Sequence, residues 1–128
     1  MKRLAALLWF PVLTASPALA TEWLNCAAEG GKAEMNVLLG LTDYVAVDTV
    51  NISVGKKTWS NKKGQGISVA VSQAYQTSDM TLIDVADNDG AQVGQLRIFT
   101  ASEGEDSAYG GVLRIVNEGA WPVSCSGP

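Results

Sequence analysis

Hydrophobic and polar positions alternate along most of residues 21–128 in short runs broken by Gly, Asn and Asp. That is the period-two pattern of half-buried strands rather than the 3.6-residue period of helices. The longest run is Tyr44 to Val54. There Ala46, Val50, Ile52 and Val54 suit a core face, whereas Val45 and Val47 fall on the other side with Thr49 and Asn51. Apolar residues therefore change sides part-way, which predicts a twist, a bulge or a second covered surface. Gly55-Lys56 follows, with Gly where a two-residue type II′ hairpin turn needs it, and Lys57 to Ser60 forms the return arm.

Asn61 to Gly66 reads as a mobile polar loop, followed by the alternating strand Ile67, Val69 and Val71. Ser72 to Asp79 is expected to be a short loop or a single helical turn. Met80 to Ala86 and Ala91 to Phe99 form a second hairpin through Asp87-Asn88-Asp89-Gly90. Gly104 to Gly111 is read as a polar connection. Val112 to Val116 and Ala120 to Cys125 make a last pair around Asn117-Glu118-Gly119, with Pro122 placing the final segment at an edge or a bulge. With Ala33 to Leu39, the total is seven or eight strands, the pattern of a small all-β antiparallel sandwich or barrel. The segment Ala27 to Leu39 also holds the helix formers Ala, Glu, Lys, Met and Leu, so a short helix is the alternative there.

The first twenty residues break the alternation. Lys2 and Arg3, the apolar run Leu4 to Leu13 and the small residues Ala18-Leu19-Ala20 have the three parts of a secretory signal peptide, with cleavage expected after Ala20. The remainder, residues 21–128, is the length of one domain. It carries seven Lys and Arg against thirteen Asp and Glu, a net charge of −6. Such acidity argues against a nucleic-acid ligand and favours solubility or attraction to basic partners. Trp23-Leu24-Asn25 before Cys26 lacks the small residues of a lipoprotein signal, so no membrane anchor is expected after cleavage. In an oxidising compartment Cys26 and Cys125 are expected to pair as one disulfide that staples the first strand to the last, the alternative being two buried thiols. A periplasmic or secreted protein is implied.

Candidate chemistry is thin. The chain has no histidine, which removes the Ser-His-Asp and Cys-His arrangements and the H-E-x-x-H zinc motif. Ser60-Asn61-Lys62-Lys63 matches S-x-x-K but lies between a hairpin exit and a glycine-rich loop, the surroundings of a surface segment. Asp84, Asp87 and Asp89 beside Gly90 invite a calcium reading. If Gly90 is the sixth position of an EF-hand loop, however, Val85 and Leu96 fall where carboxylates are required, so turn propensity is the preferred account. No metal or other cofactor is expected. Trp23, Trp59 and Trp121 are read as core residues, with Trp23 or Trp121 expected beside the disulfide. Lys56, Lys57, Lys62 and Lys63 form a local basic cluster.

The most suggestive segment is 101–111, where Ser102, Glu103, Glu105, Asp106 and Tyr109 combine acid, hydroxyls and an aromatic with flexible glycines. Loops of this kind on rigid β scaffolds often carry recognition. Together with Trp23-Leu24-Asn25-Cys26 and the strand Val112-Leu113-Arg114-Ile115, the residues Ser102, Gly104 and Tyr109 resemble the periplasmic inhibitors of c-type lysozyme. In that family a small exported β-barrel inserts a loop of the form S-G-x-x-Y into the lysozyme cleft. The resemblance implies Ser102 and Tyr109 as contact residues. Here Glu103 separates Ser102 from Gly104, the distance from Gly104 to Tyr109 is longer, and acid stands where the family has a basic residue. Three functional readings follow, in order: a non-enzymatic binding protein that uses 101–111 against a protein partner, a lysozyme among the candidates; a cell-envelope assembly domain that pairs through a strand edge; and a small carboxylate-dependent hydrolase.

Overall fold

The alternating segments fold into one continuous sheet, antiparallel except for one short parallel pairing, in the computed structural model, which describes residues 21–41 and 44–127. The signal-peptide assignment to 1–20 lies outside the described residues. In chain order the strands are β1 Thr21–Ala28, β2 Ala33–Leu41, β3 Val45–Val54, β4 Lys57–Ser60, β5 Ile67–Ser68, β6 Ala70–Gln76, β7 Met80–Ala86, β8 Gln92–Glu103, β9 Asp106–Ile115 and β10 Gly119–Ser126. The all-β expectation holds, with 73% of the described residues in strands, but the count is ten rather than seven or eight. Two causes account for the difference. Thr21–Ala28 is a full strand, and the segment predicted as one strand from Ile67 is divided at Val69.

That division closes the sheet. The strand order is β5-β4-β3-β2-β1-β10-β9-β8-β7-β6, so β5 and β6 are its two edges. They are separated in sequence by Val69 alone, whose N–H donates to the Ser60 carbonyl at 3.1 Å. One extended segment thus pairs parallel with β4 at its start and antiparallel with β7 over the rest. The result is a nearly closed barrel, which removes the exposed edges of an open sheet. Ser72 to Asp79 was expected as a loop or helical turn, but β6 continues to Gln76. Its Ser-Gln-Ala-Tyr-Gln run shows no clean apolar alternation, and the ladder to β7 holds it extended. The helical alternative for Ala27–Leu39 is also overturned. Ala33, Met35, Val37 and Leu39 alternate inward as β2, and only a single 3-10 turn, Glu29–Gly31, separates β2 from β1.

The barrel interior is the core. Ile83, Leu96 and Leu113 face one another across β7, β8 and β9 and are fully buried. Each such side chain contributes about 1.5–3 kcal/mol through area removed from water. One row below, Gly94 lies between Val85 and Ile115, and a Cβ there would stand 3.0 Å from Ile115 Cδ1, 3.1 Å from Val85 Cγ2 and 3.5 Å from Ile52 Cδ1. The missing side chain is what lets Ile52 on the far wall reach across. Cys26 and Cys125 are directly opposed in the β1–β10 ladder and joined by the expected disulfide.

The side-switching of Val45 and Val47 has a definite cause. β2 and β3 pair as Leu38 with Thr49 and then Leu39 with Val47, so Asp48 is an extra residue bulged out of the ladder. Beyond it, Val47 faces the same way as Leu39, and both Val45 and Val47 pack against the core. The loop from Asn61 seals the gap. Asn61 Oδ1 accepts from the Val50 N–H at 2.9 Å, and its Nδ2 donates to the Asp48 carbonyl at 3.0 Å. Lys62 pairs with the Asp48 carboxylate at 3.3 Å, and Thr49 donates its hydroxyl to the same group. The segment expected to be a mobile loop is therefore tied down at its start.

Candidate functional site

β8 and β9 are longer than their neighbours. β7 pairs with β8 only as far as Met80–Phe99, and β10 pairs with β9 only as far as Val123–Gly111. Residues 100–103 and 106–109 pair with each other alone, through Thr100–Tyr109, Ala101–Ala108, Ser102–Ser107 and Glu103–Asp106, and Gly110 pairs only with Phe99, apart from one tether from the Thr100 N–H to the Asp79 carbonyl at 2.8 Å. The segment read as a polar connection is a two-stranded ribbon projecting from the barrel. Its turn has Gly104 at φ 59° with Glu105 outside the left-handed region, the same geometry as Gly55-Lys56. Gly is needed at that first position because a side chain disfavours positive φ.

Strand parity sorts the candidate residues. Thr100, Ser102, Ser107 and Tyr109 continue the inward face that carries Ile98 and Leu113 lower in the barrel. Glu103 and Asp106 continue the outward face with Phe99, and Glu105 occupies the turn. Ser102 and Ser107 bond hydroxyl to hydroxyl at 2.8 Å. The structure thus brings Ser102 and Tyr109 to one face and sets Glu103 and Asp106 on the other. All five are exposed, and none of the three acids forms an ion pair among the described residues.

Below the ribbon the barrel mouth holds a cavity of about 250 Å³. Leu24, Leu39, Ile98 and Cys125 contribute apolar surface, while Gln76, Thr77, Ser78, Thr81, Thr100 and Tyr109 contribute amide and hydroxyl groups. Sequence reasoning missed this site. Its residues come from β1, β2, β6, β7, β8, β9, β10 and the β6–β7 turn, and no local motif unites them.

The aspartates near Gly90 have other roles. Asp84 is buried on the outer face and accepts a two-pronged bond from Arg97, at 2.7 Å from Nη1 and 3.3 Å from Nη2. Asp87 Oδ1 accepts the N–H groups of Asp89 and Ala91, both at 2.9 Å, and so fixes the β7–β8 turn. No group of three potential metal ligands is assembled among the described residues. Of the lysine cluster, Lys57 pairs with Glu118 and Lys62 with Asp48. Trp59 is buried. Trp121 packs against the core over Gly119, about 13 Å of strand from Cys125, and Trp23 is 43% exposed on the face opposite Cys26. The aromatic neighbour expected beside the disulfide is therefore supplied by neither.

No family model matches the chain, and no curated protein or solved structure proved significantly similar to it. Among the described residues no helix is long and apolar enough to cross a membrane.

Proposed function

We propose that residues 21–128 form an exported, non-enzymatic binding protein that presents the ribbon 100–110 to a basic protein partner. The observation that carries this reading is the ribbon itself. Eleven residues stand clear of the neighbouring strands, with Glu103, Glu105 and Asp106 at the tip in no ion pair among the described residues. A hairpin already held by its own ladder loses less freedom on binding than an unpaired loop, and a tip of one charge sign accelerates encounter with an oppositely charged surface. The disulfide fits an oxidising compartment. The resemblance to inhibitors of c-type lysozyme supplies the first partner to try, because those lysozymes are basic.

Titration of purified residues 21–128 into a c-type lysozyme assay is the test. Inhibition at micromolar protein is expected, weakening at least tenfold in a Glu103→Lys, Glu105→Lys, Asp106→Lys variant. Absence of inhibition at that concentration overturns the lysozyme version.

One observation favours a second reading, an assembly domain that pairs through a strand edge. Residues 101–103 and 106–110 have no strand on their outer sides, and such edges accept a further strand. Concentration-dependent self-association in sedimentation, abolished by Ala108→Pro, would support it, and a monomer at all concentrations would remove self-pairing.

A further inference from the structure

We propose that the barrel mouth is a binding site for a small uncharged amphiphile, with an apolar body and one hydrogen-bonding head such as a hydroxyl. The site exists because the strands part there. β10 stays with β1 up to Ser126–Asn25, whereas β9 leaves β10 after Gly111–Val123 and carries Tyr109 away with the ribbon. Tyr109 from β9 and Gly127 after β10 both line the cavity, together with Leu24 from β1, Leu39 from β2 and Ile98 and Thr100 from β8.

Size, polarity and charge each limit the occupant. A cavity of about 150 Å³ lined by apolar side chains holds benzene. In proportion, the 250 Å³ here accommodates about ten non-hydrogen atoms. The deep part is apolar, for Leu24, Leu39, Ile98 and Cys125 are all buried. Toward the opening the surface becomes polar. Gln76 donates to Thr81, and Thr77 bonds with Asp79 and Met80, so those groups are engaged. The hydroxyls of Ser78, Thr100 and Tyr109 have no partner among the described residues and can serve a ligand head. Among the described residues no Asp, Glu, Lys or Arg lines the cavity. A charged head would lose hydration there with no opposite charge to compensate, so the site selects against ions.

The inference does not depend on the ribbon tip meeting a protein, since Glu103, Glu105 and Asp106 lie outside the cavity. The test is a titration of 15N-labelled residues 21–128, which hold the whole described barrel, with 1-octanol and separately with octanoate at pH 7. Octanol is expected to give saturable shifts of the Thr77–Thr81, Ile98–Thr100, Tyr109 and Gly127 amides, with octanoate binding at least tenfold more weakly. Thr100→Phe, which fills the mouth, is expected to abolish those shifts while leaving the melt unchanged. The proposal is overturned if octanol gives no saturable shift up to its solubility limit, if octanoate binds equally well, or if the shifts centre on the exposed outer-face residues Tyr75 and Phe99. Should Thr100→Phe fail to fold, the octanol-to-octanoate ratio on the unaltered protein decides alone.

Discussion

Removing the disulfide should weaken this barrel substantially, and mainly through the unfolded chain. Cys26 and Cys125 are 99 residues apart, so the bridge closes almost the entire domain into one loop. For a loop of about 100 residues, the chain-entropy relation gives roughly 4.7 kcal/mol at 25 °C. A domain of this size has about 5–15 kcal/mol of net stability, so the bridge supplies a third of it or more. The native state also depends on it locally. β1 and β10 meet through only four residue pairs, Asn25–Ser126 to Ala28–Val123, against seven pairs between β1 and β2. That ladder joins the two ends of the chain, which makes it the longest-range antiparallel pairing in the sheet.

The variant to examine is Cys26→Ala/Cys125→Ala, which avoids placing a hydroxyl at the fully buried position 26. With an unfolding entropy of about 2.1 cal/mol/K per residue over 108 residues, 4.7 kcal/mol corresponds to a fall in Tm of about 20 °C. Urea denaturation followed by tryptophan fluorescence gives a second, more diagnostic readout. An unfolded chain freed of its cross-link expands and exposes more surface, so m should rise as the midpoint falls. A folded double variant within about 1 kcal/mol of the parent, with m unchanged, would refute the entropic account.

Arg97→Met leaves the buried Asp84 carboxylate without its partner, at an expected cost of about 3 kcal/mol; Asp84→Leu/Arg97→Met should recover to within about 1 kcal/mol of the parent, because both charges are then gone. Urea denaturation of the two variants checks this, and a single-variant loss as small as that of the pair would show that the ion pair contributes nothing. Asn61→Ala strips the bulge of its side-chain bonds and leaves the buried Val50 N–H unpaired, an expected loss of about 1–3 kcal/mol by the same assay. For Asp48, the Thr49 hydroxyl first and the Lys62 ammonium second hold the carboxyl below the ordinary 3.8. Its contribution is therefore complete above that value and disappears as pH falls through the lowered midpoint. Carboxyl titration by NMR should show a sub-3.8 midpoint that Lys62→Ala raises only in part, since the hydroxyl bond remains.

The central β8–β9 region and the disulfide were legible because their signals are local or compositional. Leu96, Ile98, Leu113 and Ile115 announce a buried face by alternation, and two cysteines in a chain expected to be exported have few alternatives. The bulge was half legible. Val45 and Val47 betrayed a change of face, but the extra residue, Asp48, becomes identifiable only from the β2 register and the asparagine of a distant loop. Barrel closure left no mark at all. Ser72 to Gln76 carries no apolar stripe, and the reason it is extended lies in β7 and β4, not in its own side chains.

The candidate site shows why neighbouring residues in a sequence make a poor guide to a surface. Glu103, Glu105 and Asp106 suggested an acidic loop together with Ser102 and Tyr109, and the turn signal was present in Glu103-Gly104-Glu105-Asp106, the same glycine-first form as Val54-Gly55-Lys56-Lys57. What concealed the second hairpin was its polar arms, which have no core to face once β8 and β9 rise beyond β7 and β10. Pairing then divides the segment by parity. Hydroxyls fall on the side that leads down into the mouth, and acids fall on the outside and at the tip. A protein partner recruited by charge would approach the second set, whereas an uncharged small molecule would meet the first. The two proposals therefore draw on different faces of one ribbon, and either could fail without taking the other with it.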